Sequence, residues 1–319
     1  MAADRSAWTV DDLEFTLDRM PAAIEAQFLL DNGAGYALTH VIAVRRRDED
    51  PIRVADFEAI SDMLYDALSF CAGSYVGIAC AAGFDSAGDR VWERWAVGRS
   101  QFWSNRLSWL VSVKASGAPD LPRPEQPLEV VMPQIMRLSR RPAWSGGVVR
   151  NLVASLCEGM RDGSVETRLA TLLTGLELLA WCRLVRESHE AVDDDFNREF
   201  GPLLERLLSC DGVPVTVPDA LPDLACYARG FSDASGISGS GPRAIVEARN
   251  RLVHPPTRNR QIPKQPQREQ AWLLALWYLQ LEMLKTCGYE GDQLPPWAHT
   301  NEDAQRVPWV RAENDDAST

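Results

Sequence analysis

Hydrophobic spacing changes character part-way along the chain. Between residues 37 and 97 apolar positions come in short bursts. The runs at 37–44 and 75–82 are rich in β-branched or small residues, and VWERWAV at 91–97 alternates, so each predicts a strand. A helix falls among them at 56–70, where Phe57, Ile60, Leu64 and Leu68 recur at helical spacing. DSAGD at 85–89 has the Asp, Ser and Gly content of a hairpin turn. ASGAPDLPRPEQP at 115–127 places four prolines in thirteen residues, which predicts a connector near a domain boundary.

From about residue 145 the period becomes helical and stays so. Helices are predicted at 146–160, 165–186, 195–208, 219–230, 242–253 and 267–286. In the second of these, Leu169, Leu172, Leu173, Leu176, Leu179, Ala180 and Leu184 form one broad apolar face, as a central bundle helix requires. Glu177 lies beside that stripe, either as a rim residue or as a buried acid with a polar task. The expected fold class is α+β. A mixed α/β domain would cover 1–140, an all-α bundle 145–295, and a polar tail 296–319.

Composition narrows the function. With 45% hydrophobic and 24% charged residues the chain should fold as a globular protein. Its seven cysteines contain no CxxC pair and read as reduced thiols of a cytoplasmic protein. The N-terminus lacks a signal-peptide pattern, and Glu177, Gln280 and Glu282 interrupt the most apolar runs, so no membrane span is expected. His40, His189, His254 and His299 are isolated from one another, and no metal or other cofactor is expected. The acids at 193–195 suit a helix N-terminus better than a divalent ion. Six tryptophans of the first part (Trp8, Trp92, Trp95, Trp103, Trp109, Trp144) could form a stacking platform, but core and interface bulk is the simpler reading.

A net charge of −12 excludes whole-surface affinity for a polyanion. One stretch departs from it. Between 243 and 268 stand Arg243, Arg249, Arg251, Arg258, Arg260, Lys264 and Arg268 against Glu247, seven bases to one acid, a local +6. Within it, Arg249, Asn250 and His254 close a helix that Pro255 and Pro256 cannot continue. This sets an imidazole among helix-terminal carbonyls. Asn250 and His254 are four apart, within side-chain reach on one face, so the amide could orient the ring. Arg249 points roughly 140° away from it on an ideal helix, so one copy alone does not bring both to a single phosphate. Two copies across a two-fold axis could.

RNRLVH at 249–254 fits the R(N/H/D)xxxH motif of HEPN domains and resembles that family beyond six letters. TRLATLLTGLELLAW at 167–181 looks like the early HEPN helix with its Leu-Glu pair. WLLALWYLQLEMLKTCGYEG at 272–291 looks like the closing helix and GYxG tail of the ApeA-like group. The resemblance covers about 150–295 and implies a helical bundle acting as a metal-independent ribonuclease in anti-phage defence or as a toxin. It implies a homodimer with the site at the interface, His254 as base or acid, Arg249 on the transition-state phosphate, Asn250 fixing the ring or touching the phosphate, and Glu177 as polar support. Arg251, Arg258, Arg260, Lys264 and Arg268 would guide RNA, with tRNA or another structured RNA as substrate and a phage-derived or protein trigger acting on the N-terminal domain. The alternative is a non-catalytic HEPN-like module that binds RNA or protein and serves to dimerise.

Overall fold

A computed structural model describes residues 5–21, 38–95, 126–145, 147–189, 200–230, 239–254, 262–298 and 303–310. The chain divides into two compact units, Met1–Arg141 and Pro142–Thr319. The fold class is α+β.

The first unit opens with a hairpin that the reading of bursts from residue 37 onward did not include. Strands β1 (Arg5–Val10) and β2 (Leu13–Arg19) pair antiparallel with Val10 opposite Leu13. Asp11 turns the chain at φ 53, a left-handed conformation that Asp tolerates better than most residues. The period of two puts Trp8, Val10, Leu13, Phe15 and Leu17 on one buried face, and Trp8 stacks on Phe15 at 5.5 Å. Strand β3 (His40–Arg46) completes the sheet in the order β1-β2-β3. Helix α1 (Val54–Ala72) buries Ile60, Leu64, Ala67 and Phe70 and ends at Gly73, φ 64.

Strands β4 (Cys80–Phe84) and β5 (Arg90–Trp95) form a separate antiparallel hairpin. The turn sits where expected. Asp85 Oδ1 accepts from the N–H groups of Ala87 and Asp89, each at 2.9 Å. The strand expected from residue 75 begins only at Cys80. Helix α2 (Gln126–Leu138) corrects the sequence reading a second time: the connector expected to reach 127 already overlaps its start. The helix keeps Pro133 inside it and buries Val131, Met132, Ile135 and Met136. It packs on α1 and β1.

The second unit begins with a short 3-10 turn at Pro142–Trp144 and helix α3 (Val148–Met160). Helix α4 (Val165–Trp181) starts where the Ser164 side chain accepts the Thr167 N–H, and it continues as a π turn, Cys182–Glu187. All seven residues of the predicted stripe on this helix are buried. Gly175 of α4 lets α3 come close, since a Cβ there would stand 2.8 Å from that of Ser155. Helices α5 (Phe200–Cys210), α6 (Pro222–Arg229), α7 (Gly241–Val253) and α8 (Gln265–Thr286) follow. α8 is buried from Leu274 to Leu284 without interruption, because α3, α4, α6 and α7 all pack against it.

The stretch expected as a polar tail is not wholly free. Gln305–Arg306 pairs with Asp292–Gln293, Val307 is buried, and Trp309 Nε1 donates to the Tyr289 carbonyl at 2.9 Å. Of the six tryptophans singled out, Trp8 and Trp144 are core and Trp92 meets Phe57 edge-on at 5.2 Å. Trp95 is exposed, while Trp103 and Trp109 lie outside the described residues, as do the acids at 193–195.

Candidate functional site

The candidate chemistry is carried by the last turn of α7. The helix starts at a good signal: the Ser240 side chain accepts the Arg243 N–H at 3.4 Å, with Pro242 in the first turn. It ends as the sequence required. His254 leaves helical geometry at φ −108, ψ 131, while its N–H still donates to the Asn250 carbonyl at 2.9 Å. The His254 side chain is exposed, and Arg249 and Asn250 are partly buried.

That exit changes one expectation. Residues four apart face each other only while both are helical, and His254 is not. The expected orienting bond from the Asn250 amide to the imidazole is absent, and the contact between the two residues runs through the backbone.

Arg249 is held instead by another helix. Its Nη2 donates to Glu177 Oε1 of α4, with both side chains partly exposed. Glu177 is therefore a rim acid with a specific partner. The guanidinium keeps other N–H groups to offer, since one carboxylate oxygen takes only one of its five.

The remaining basic residues are largely matched by acids. Arg243 Nε donates to Glu205 of α5 at 2.9 Å, and Arg251 Nε to Glu247 on its own helix at 2.7 Å. The Arg251 guanidinium also lies over the Tyr227 ring, 5.5 Å from its centroid, and burial pushes the Tyr227 hydroxyl up to about 12. Arg268 pairs with Glu166 at the start of α4. Lys264 is exposed and starts α8, its N–H donating to Gln267 Oε1 at 2.8 Å. Arg258 and Arg260 lie outside the described residues. The +6 counted along the chain thus overstates the field at this surface, because Glu166, Glu177 and Glu205 arrive from other helices.

A second cluster of ionisable side chains went unnoticed in the sequence. Arg183 of the π turn reaches Asp211, just past α5, at 3.1 Å and Glu282 of α8 at 3.7 Å. Glu282 is fully buried, and desolvation together with the like charge of Asp211 holds its carboxyl well above the usual range. An acid in the midst of WYLQLEM was the one available signal. Among the described residues no group of three or more His, Cys, Asp or Glu side chains could hold a metal ion, and no helix is long and apolar enough to cross a membrane.

Comparison with known proteins gives related matches for both parts of the chain. The YopA C-terminal domain matches residues 146–295, and the YopA central domain matches residues 1–106. A curated relative from Bacillus subtilis (strain 168), described as the SPbeta prophage-derived uncharacterized protein YopA, is 25% identical over 264 residues, which are 82% of this chain and 55% of the relative. The chain therefore spans about half the length of the curated relative it matches. No solved structure matches it.

Proposed function

We propose that the helical unit is a HEPN-type, metal-independent endoribonuclease that cleaves tRNA or another structured RNA in anti-phage defence or as a toxin. Two copies supply the site. His254 takes or gives the proton in attack of the 2′-OH on the neighbouring phosphate, and Arg249 of the second copy carries the charge that develops on the phosphorus oxygens. The products are a 2′,3′-cyclic phosphate and a 5′-OH. DNA resists because it lacks the 2′-OH.

The observation that carries this reading is the end of α7, where an exposed imidazole follows an arginine that another helix holds in place. A guanidinium fixed by Glu177 through one N–H keeps its planar fork for a phosphate, a geometry that lysine lacks. A prophage-borne relative is in keeping with a role in phage conflict. The first unit is then the sensor on which a phage-derived or protein trigger acts, or the restraint.

One observation favours a second reading. Arg243, Arg249, Arg251 and Arg268 all have carboxylate partners, as they would in a helical module that dimerises and binds RNA or protein without cleaving it. The deciding experiment incubates the purified chain and its His254→Ala variant with bulk tRNA in EDTA. The nuclease gives discrete fragments with cyclic phosphate ends that the variant does not make. Intact RNA with both proteins, or equal cleavage by both, overturns the enzymatic reading.

A further inference from the structure

One guanidinium in the helical unit faces more carboxylates than it can neutralise. Arg183 lies 3.1 Å from Asp211, 3.7 Å from Glu187 and 3.7 Å from Glu282. Glu187 is partly exposed and also accepts the Trp144 indole N–H, so it is satisfied at the surface. Asp211 and Glu282 are buried. Among the described residues no N–H or O–H donor reaches either oxygen of Glu282 or Oδ2 of Asp211, and the two carboxyls lie within hydrogen-bond reach of each other. The second Arg183 nitrogen, Nη1, donates to Thr286 Oγ1 at 3.3 Å rather than to either acid. The other cation acting on Glu282 is Lys285 of the same helix, whose ammonium sits over the Trp309 ring at 5.2 Å.

With every acid ionised the cluster would hold three negative charges against one guanidinium, two of them in the interior. An ionised carboxylate with no donor in an apolar site is among the costliest arrangements in a protein. Two carboxyls brought together out of water resolve this by keeping one proton between them.

We propose that Asp211 and Glu282 share a single proton in the folded helical unit, and that this proton is a pH-sensitive lock joining the end of α5 to α8 and the π turn. The sign follows from where the proton resides. Unfolded, Glu282 ionises near 4.5, the ordinary value for its carboxyl; folded, burial and Asp211 keep it protonated to a pH well above that, with Arg183 and Lys285 pulling the other way. The folded chain therefore binds one proton more than the unfolded chain across that window. The lock is complete at acid pH and is lost as pH rises through the elevated folded value. This inference does not depend on the nuclease reading.

The test is urea unfolding of the full chain from about pH 5 to about pH 9, comparing wild type with Glu282→Gln and Asp211→Asn. The wild type should lose stability relative to Glu282→Gln by about tenfold in the unfolding equilibrium constant per pH unit within the window. Asp211→Asn should shrink that slope, because Glu282 beside Arg183 alone ionises at lower pH. Wild-type and Glu282→Gln curves that run parallel overturn the proposal. If Glu282→Gln does not fold, infrared spectroscopy of the wild type at neutral pH decides. A protonated-carboxyl band that vanishes with denaturation supports the lock, and no such band overturns it.

Discussion

Arg249 of α7 donates to the Glu177 carboxylate of α4 across 72 positions of sequence, so the arginine of the RNRLVH string is positioned by the Leu-Glu pair of a different helix. Glu177 thereby sets where the guanidinium points. Because both side chains are partly exposed, solvent screens the pair and its worth to stability is at most about 1 kcal/mol. Glu177→Gln should move the urea midpoint little, yet lower RNA cleavage by releasing Arg249. A large stability loss with unchanged cleavage would make the pair structural.

His254→Ala should leave unfolding within about 0.5 kcal/mol of wild type, since the side chain is exposed and lies outside the helix. Cleavage should fall by about 10²–10⁴-fold, the range for loss of a general acid or base. Arg249→Ala should reduce cleavage by about 10²–10³-fold, as expected when a donor to a developing oxyanion is removed. Single-turnover rates on one purified tRNA measure both.

Salt dependence should reveal how many of the basic residues meet RNA. If all seven between 243 and 268 contacted phosphate, the slope of log binding constant against log salt would be about −5 to −6. Acids hold Arg243, Arg251 and Arg268, whereas Arg249 keeps N–H groups for a phosphate, so at most four of the seven, Arg249, Lys264 and, by sequence, Arg258 and Arg260, would meet RNA. A slope of at most about −3 to −4 is expected. Fluorescence anisotropy of labelled RNA over a salt series reads it.

Leu172 of α4 is fully buried and presses on Gly159 of α3, where a Cβ would fall 2.4 Å from its nearest methyl. Leu172→Ala should cost about 2–5 kcal/mol, because a close helix crossing cannot collapse into the space left. Urea unfolding measures it, and a loss below about 1 kcal/mol would mean that the crossing is looser than drawn.

Thiol labelling should divide the seven cysteines. Cys80, Cys210 and Cys226 are exposed, while Cys71, Cys157, Cys182 and Cys287 are buried. Burial pushes the Cys182 thiol up to about 11, leaving roughly one molecule in a thousand as thiolate near pH 8. Brief alkylation of the folded protein followed by mass spectrometry should mark the exposed three and spare Cys182.

What the sequence determined by itself is whatever depends on neighbours along the chain. The stripe from Leu169 to Leu184, the exit of α7 at His254 before two prolines and the Asp85 turn follow from periodicity and from residues that fix their own backbone. The first hairpin is legible by the same rule, in the alternation of Trp8, Val10, Leu13, Phe15 and Leu17. Tertiary structure decided what depends on distance in space. Charge counted along the chain made 243–268 a bare cationic strip, but Glu166, Glu177 and Glu205 come to it from helices that share no local sequence with it. The same holds for Asp211, Arg183 and Glu282, three ordinary letters until the ends of α5, the π turn and α8 meet. Coulombic and desolvation energies depend on separation and burial, and a linear string records neither.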